Sequence, residues 1–536
     1  MIRISGIKVD IGQEGRLLKK AASILKVSPD VISDFFIIKK SLDARDKDHI
    51  HYSYIVDVCV NDEDKILRRC RNPKVSISKP KNYKLPEQGS AALINRPVVV
   101  GSGPAGLFAA YFLAQNGYKP ILLERGADVN SRIKKVNDFW NNAAPLDPET
   151  NIQFGEGGAG TFSDGKLNTG VNDPSGRNKL VLETFVANGG PREILCSNKP
   201  HLGTDVLMTI VKNMRNYIVS HGGDVMFNSR FDDFRSDDDR LESISYTKDG
   251  VSHDLRCSNL ILATGHSARD TFKMLFEAGI NMQGKPFAVG IRAVHDQDKI
   301  NRIQYGPEYK EKYGNKLPPA DYKLTYRADD GKSVFSFCMC PGGFVVDSSS
   351  EPGHLCINGM SYSGRDGEFA NSAIIVSVSP EDVGSDTVPM KGIEFQRDLE
   401  RKAFECGNGH IPAQYYRDFV KTVPSKGNNA FSGVKGGVCY TDLNKVLPEF
   451  VSRDIKEAMP FFGTKMSGYD DDDTLILAVE SRTSSPVRIV RDDHFESCIK
   501  GIYPCGEGAG YAGGIASAAI DGIKVFEEIY KRYHPL

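Results

Sequence analysis

The segment Arg96–Gly126, RPVVVGSGPAGLFAAYFLAQNGYKPILLERG, constrains what this chain can fold into more than any other. It reads as an apolar strand, a glycine turn, an amphipathic helix, a second apolar strand and then an acid. Gly101, Gly103 and Gly106 follow the strand Val98–Val100 directly and spell GxGxxG. The first glycine permits the tight turn, the second lets backbone approach a pyrophosphate, and the third lets helix and strand pack closely. Pro104 and Ala105, between those glycines, belong to the same candidate site. Ala110 keeps the helix face small and Gly117 ends the helix. Glu124 lies 23 positions beyond Gly101, at the tip of the second strand. A carboxylate there can accept hydrogen bonds from both ribose hydroxyls, with Arg125 beside it. A lone GxGxxG often arises by chance, but with both strands, the helix and the acid in place the segment reads as a dinucleotide site.

Composition excludes more than it selects. The 536 residues suffice for about two to four domains, and 40% hydrophobic content suffices for a sizeable core. A net charge of −1 gives no support for a general nucleic-acid-binding or polybasic membrane-binding protein. No stretch approaches the ~18 uninterrupted apolar residues of a membrane span, and MIRISGIKVDIGQEG lacks a signal peptide's apolar core. The eleven cysteines are scattered without CxxC or zinc-type spacing, the pattern of reduced thiols in a cytoplasmic protein. The acidic runs Asp237–Asp239 and Asp470–Asp473 read as solvated turns. Consecutive aspartates point in different directions, so no metal site is expected.

The chain divides into unequal parts. Residues 1–85 alternate as a strand over Ile2–Val9, then place Leu17, Leu18, Ala21, Ala22 and Leu25 on one helical face. Strands around Phe35–Lys40 and Ile50–Val60, a helix around Glu63–Arg69 and a strand Lys74–Ser78 complete βαββαβ, the ferredoxin-like order. Lys39, Lys40, Arg45 and Lys47 there either contact nucleic acid or form a solvated strand and loop. Residues 86–95 end a polar, proline-bearing linker. Residues 96–283 and 481–536 form the nucleotide-binding body, with 284–480 inserted as a substrate or cap domain. Asp224–Phe234 is expected to return strands to the nucleotide sheet, and Asn259–His266 to form a buried strand ending in a small-residue turn.

An NAD site needs only the glycine turn and the acid, whereas FAD also needs contacts along its ribityl chain and at the isoalloxazine ring. Three further segments supply them. In Phe154–Lys166, FGEGGAGTFSDGK, Gly157, Gly158, Ala159 and Gly160 allow close backbone approach to a flat ring or phosphate. Asp164 and Lys166 can pair with phosphate, flavin or one another. Ala263, Thr264 and Gly265 form the turn that carries chain away from the adenosine half. In Tyr503–Ala519, Gly506 precedes Glu507, which can hold a ribityl hydroxyl, and Gly513, Gly514 and Ile515 open the last helix. That helix would aim its N-terminal amides at the flavin N1–C2=O edge, where negative charge collects on reduction. Each segment alone can be a structural turn; in this order they point to FAD. The expected fold class is α/β: a Rossmann-like FAD-binding domain with an inserted α+β cap domain, preceded by the small ferredoxin-like domain.

VVVGSGPAG, ATG and GEGAGYAGGI resemble the finger, middle and terminal FAD motifs of the glutathione-reductase-like, two-dinucleotide-fold flavoprotein superfamily. More closely, the chain resembles the uncharacterised FAD-dependent dehydrogenases called NAD(FAD)-utilising dehydrogenases. GEGGAGTFSDGKLNTG (155–170), VGIRAVH (289–295), FSFCMCPGG (335–343), ESRTSSPVRI (480–489) and GEGAGYAGGI carry that match, which spans essentially the whole chain. Glu507 stands where the superfamily usually has Asp, one methylene longer. The resemblance implies FAD and a redox role, without supplying a substrate.

What the chain lacks narrows the chemistry. A disulfide reductase needs CxxC or CxxxxC beside the flavin, and neither is present. Cys338 and Cys340 are the one close pair; on a regular strand their Cα atoms would lie roughly 6.6 Å apart, at the edge of disulfide geometry. They read as packed strand thiols or a redox pair, and Cys505 as a small core residue. No second GxGxxG follows a strand, so NAD(P)H, as a transient donor, must reach the flavin through the substrate cleft. Catalytic candidates are Arg292, His295 and Arg482. Arg292 and His295 face opposite ways at i and i+3 on a strand, so one of them reaches the cleft. Arg482 can anchor an anionic substrate or steady reduced flavin, or form a salt bridge with Glu480 or Glu507. His266 is a hydrogen-bonded turn residue or a catalyst, and Tyr511 can stack near the ring. Two functions remain: a FAD-dependent oxidoreductase moving a hydride to or from a small molecule, or an RNA-associated flavoprotein docking RNA on its N-terminal domain. A FAD-binding scaffold without turnover is a third.

Overall fold

A computed structural model describes every residue of the chain except 429. Short apolar runs build its parallel sheet. Ile502–Pro504, Leu260–Leu262, Val98–Val100, Ile121–Leu123 and Asp224–Met226 lie side by side in that order, all parallel. Val98–Val100 and Leu260–Leu262 are buried at every residue, as strands covered on both faces must be. The helix Pro104–Gln115 corrects one expectation: it is not amphipathic but buried all round, with Ala105 through Ala114 out of solvent. It is covered on several sides, since helices Ile515–Arg532 and Thr204–Ser220 share its apolar core with strand residues of the sheet.

A second correction concerns Asp224–Phe234. Only Asp224–Met226 joins the parallel sheet. Ser229–Asp237 leaves it and pairs antiparallel with Arg240–Lys248, which pairs in turn with Val251–Arg256. The alternation that marked a strand did not say which sheet would receive it.

The inserted region builds a seven-stranded sheet entirely from residues between 284 and 480. Its order is Thr325–Arg327, Ser333–Cys340, Phe369–Val378, Phe287–Asp296, Leu475–Glu480, Ile411–Tyr415 and Val438–Tyr440. The last two are parallel and the other neighbours antiparallel. Phe287–Asp296 is central and buried up to its last residue. Met282–Gly284 and Val487–Ile489 form a two-stranded ribbon where the chain enters and leaves this region.

The N-terminal sheet has the order Ile32–Asp43, His51–Val60, Ile2–Asp10, Val75–Ile77, all antiparallel, with helices Leu17–Leu25 and Glu63–Cys70. This is the ferredoxin-like topology. Leu17, Ala21 and Leu25 enter its core, but Leu18, expected on the same face, is exposed. The linker is pinned: Ala91–Ala92 pairs with Tyr533–His534. Among the described residues no helix is long and apolar enough to cross a membrane.

Candidate functional site

The turns that follow Val100, Leu123 and Leu262 open at one edge of the parallel sheet into a cleft of about 370 Å³, which Phe337, Cys338, Asn358 and Glu480 of the inserted region also line. Its size falls within the usual range of ligand sites. Gly101 takes φ +97°, a left-handed conformation that favours glycine. A Cβ on Gly106 would lie 1.9 Å from the Gly101 carbonyl oxygen, so helix and turn meet only through glycine. Gly103 is different: a Cβ there would meet only the Gly158 Cα, at 3.8 Å, and the residue borders the cleft. No side chain caps the helix Pro104–Gln115, so its first-turn amides are left free for a ligand. The helix Ile515–Arg532 likewise begins at Gly514 without a side-chain cap. A Cβ on Gly265, Gly513 or Gly514 would meet no atom within 4 Å. Pro104, Ala105, Gly158, Ala159, Gly160, Thr264 and Ile515 also line the cleft. Gly106, Gly157 and Gly506 stand behind that lining: the Gly157 amide donates to the Ser102 carbonyl at 3.1 Å and the Gly506 amide to Asp521 at 2.7 Å.

Glu124 is buried at the cleft and accepts four hydrogen bonds. Oε2 takes the Ser102 amide at 2.9 Å and hydroxyl at 2.6 Å; Oε1 takes the amides of Gly126 and Gly155, each at 2.9 Å. Arg125 pairs with Glu149 at 2.7 Å and Asp270 at 2.9 Å and stacks on Phe154. Asp164 and Lys166 pair with one another, and Asp164 also takes Arg365. Sequence reasoning missed Arg132. This fully buried guanidinium donates to the carbonyls of Asn151, Ile152, Gly155, Glu156 and Gly158 and so holds the glycine segment from behind. Burial lowers its pKa to about 10. It sits on the helix Val129–Trp140, outside every motif, so no local signal marked it.

The cap side is built from buried charge. Arg482 lines the cleft, but its ion-pair partner is Glu400, not Glu480 or Glu507. Its Nε and Nη2 reach Glu400 at 2.9 and 2.8 Å, and Nη1 reaches Ser350 and Ser267 at 2.6 and 3.1 Å. Arg269, also unforeseen, pairs with the same carboxylate at 2.8 Å. Arg292 and His295 correct the expectation that one of them reaches the cleft; neither does. Arg292 is fully buried on Glu480, at 2.9 Å, and on Asn371, at 2.7 Å. His295 accepts burial on the other face of the strand, 2.8 Å from the Tyr469 carbonyl, and burial lowers its pKa to about 4. Both faces of Phe287–Asp296 are covered, so alternation alone could not expose either side chain. His266 and Glu507 face each other in the cleft at 4.0 Å. Burial, then Arg482 and Arg269, lower the His266 pKa to about 3, and burial raises Glu507 to about 7. Both groups are therefore neutral in mildly acidic solution, between those two values. Tyr511 stacks on Arg491 at 3.7 Å and does not line the cleft; Cys505 is a buried cleft-wall residue. In the N-terminal domain, Arg45 pairs with Asp43, and Lys40 lies over Tyr52 while its backbone docks on Cys196 and Asn198.

Residues 286–483 match the model of a FAD-dependent protein, C-terminal domain-like, and residues 99–155 that of an NAD(P)-binding Rossmann-like domain. Residues 1–59 match a domain of unknown function. An uncharacterised protein of Clostridium beijerinckii is 43% identical over 538 positions, covering 99% of each chain. The chain belongs to a family of FAD-dependent proteins. Among solved structures, it is similar to the E. coli quinol fumarate reductase (12% identity, TM-score 0.36, 81% of this chain and 69% of that one). It is also similar to a 3-ketosteroid dehydrogenase of Rhodococcus jostii (11% identity, TM-score 0.31, 82% and 98%).

Proposed function

We propose that this family member is a dehydrogenase of the glutathione-reductase-like superfamily, akin to the NAD(FAD)-utilising dehydrogenases. It moves a hydride between a small-molecule substrate and non-covalently held FAD, in the cytoplasm and without a nucleic-acid partner. The observation that carries this reading is the pair of uncapped helix N-termini, at Gly103-Pro104 and Gly514-Ile515, opening into one cleft whose glycines leave the space free. Backbone amides near Ala105 would take the pyrophosphate, and the Glu124 end the adenosine half. The flavin, when bound, supplies the two-electron chemistry. The chain's own residues position and shield it. Gly513, Gly514 and Ile515 present helix amides to the end where negative charge collects. Glu507, with its carboxyl raised to about 7, can hold a proton there. The Glu400 carboxylate fixes Arg482 and Arg269 as a rigid wall, and together with Glu351, 3.5 Å from Arg269, it compensates their charges. Eleven free cysteines support a reducing compartment. The purified protein should be yellow and should release FAD, not FMN, on denaturation. Anaerobic titration with NADH, NADPH and a metabolite panel then identifies the donor, with slow or weakly saturating reduction expected for the nicotinamides. Colourless protein that stays colourless after soaking in FAD refutes the reading.

A further inference from the structure

His266 follows the turn Ala263–Gly265 and faces Glu507 in the cleft. Its Nδ1 lies 3.0 Å from the Ser267 hydroxyl. Two other groups reach that hydroxyl, and their roles are fixed. Arg482 Nη1, at 3.1 Å, can only donate. Gln153 Oε1, at 3.0 Å, can only accept. The Gln153 amide cannot be turned round, because its nitrogen donates to the Ser348 carbonyl at 3.0 Å. Ser267 and Gln153 are both buried. The hydroxyl has a single proton, and Gln153 takes it; a Ser267 proton aimed at His266 would leave two bare oxygens facing each other at 3.0 Å. The Ser267 oxygen therefore accepts from Arg482 and from His266. Nδ1 carries the ring proton, and Nε2 presents a bare lone pair to the cleft.

Nε2 stands 4.0 Å from Glu507 Oε1, beyond hydrogen-bond reach. One oxygen set about 2.8 Å from each atom would subtend roughly 90° between them, which a hydroxyl can adopt. Burial first, then the charges of Arg482 and Arg269, keep His266 from taking a second proton, with Glu400 opposing them. Burial likewise favours the protonated Glu507 carboxyl, with Lys285 opposing and Cys338 reinforcing it. The site thus offers one acceptor and one donor. A carbonyl or carboxylate oxygen has no proton for Nε2, and an ammonium has no lone pair for Glu507. An uncharged hydroxyl has both.

We propose that His266 and Glu507 form a subsite for one uncharged hydroxyl group of a ligand, which donates to His266 Nε2 and accepts from the Glu507 carboxyl. The hydroxyl belongs to the sugar-alcohol chain of the flavin or to an alcohol substrate, and in that respect the inference rests on the flavin reading. Ser267, Gln153 and Arg482 are positioning residues, because they act on the ligand by fixing the tautomer of the ring.

Histidine-selective ¹⁵N NMR of the full chain reads that tautomer directly, with His266→Asn to assign the signal. The parent should show a protonated Nδ1 and a bare Nε2 from pH 5 to 8, with or without FAD. Gln153→Leu should free the Ser267 proton and reverse the tautomer. Titration of flavin-free protein with FAD then asks whose hydroxyl it is. For the flavin's own hydroxyl, Kd should rise about tenfold between pH 6 and 8, as Glu507 gives up its proton. Glu507→Gln, which keeps a donor, should abolish that rise, and His266→Phe should weaken binding about threefold to tenfold at every pH. For a substrate's hydroxyl, the FAD constants stay flat and the same pattern appears in anaerobic reduction of FAD-loaded protein by a panel of alcohols. A protonated Nε2 in the parent, or a pattern missing from both arms because only water bridges the pair, overturns the proposal. Protein that binds no FAD at any pH refutes the flavin reading, while the ring nitrogens still test this one.

Discussion

On the nucleotide side of the cleft the wall is backbone: the turns at Gly101–Gly103, Gly158–Gly160 and Thr264–Gly265, and two helix N-termini. On the cap side it is buried charge, with Arg292 on Glu480 and with Arg269 and Arg482 sharing Glu400. The first wall offers donors that do not titrate and that depend on the absence of side chains. The second depends on every ion keeping its partner, because an uncompensated buried charge is far worse than no charge at all. The two walls should therefore fail differently under mutation, the first by losing ligand and the second by losing the fold.

Glu400→Ala gives the largest expected effect. It strips the shared partner from two buried arginines and from the Ser481 hydroxyl, which donates at 2.7 Å. Urea unfolding should show a loss of about 3–5 kcal/mol, the usual consequence of halving a buried ion pair. A loss under about 1 kcal/mol would mean that water or loop movement already satisfies these charges, and the contrast between the walls would fall.

Gly103→Val probes the other wall. The cleft has room for the first atom of the new side chain, so the urea midpoint should hardly move. Flavin retention through gel filtration should fall by a factor of about 100 or more, equivalent to about 2.7 kcal/mol of binding, because the side chain takes the volume the pyrophosphate needs. Gly106→Val should instead damage the fold, since its Cβ meets backbone at 1.9 Å. Full flavin occupancy in Gly103→Val would make the finger a structural turn.

Much of the nucleotide wall was legible because its requirements are local. A turn at φ +97°, a helix starting within van der Waals contact of a strand and an acid at a strand tip each leave a mark on neighbouring residues. The cap wall was not legible, because its pairs join residues far apart: Arg482 to Glu400, and Arg292 to Asn371 and Glu480. Arg132 was invisible for a related reason, since its five acceptors are carbonyls, which every residue has. The strand Ser229–Asp237 shows the same limit at the level of sheets: alternation predicts a strand, and tertiary packing chooses its partner.

Glu507 titrates within the cleft, where it faces His266. Burial raises its pKa to about 7 from the ordinary 4.5. A raised acid favours folding while protonated, so its penalty is absent below about pH 4.5, grows through the window up to about 7, and is complete above. Glu507→Gln should therefore be more stable than the parent at pH 8, by about 1–3 kcal/mol. The two should converge near pH 4. A difference of constant size from pH 4 to 8 would show that the gain comes from packing rather than from charge.

The smallest effect tests whether the backbone wall leans on side chains behind it. Asp128 caps the helix Val129–Trp140, accepting the Asn130 amide at 3.0 Å and the Ser131 hydroxyl at 2.7 Å, one turn before Arg132. Burial alone would raise its pKa, but the Ser131 and Asn130 hydrogen bonds outweigh burial and lower it. A depressed carboxyl contributes stability that is present above its unfolded pKa and lost as pH falls through the folded one. Asp128→Ala should destabilise by about 1 kcal/mol at pH 7, as lost N-caps do, and the gap should close below about pH 4. Flavin retention should stay within about twofold of the parent, because the five carbonyl bonds of Arg132 survive a frayed first turn. A retention loss as large as that of Gly103→Val would place the glycine segment under control of this cap, and the nucleotide wall would then depend on charge as the cap side does.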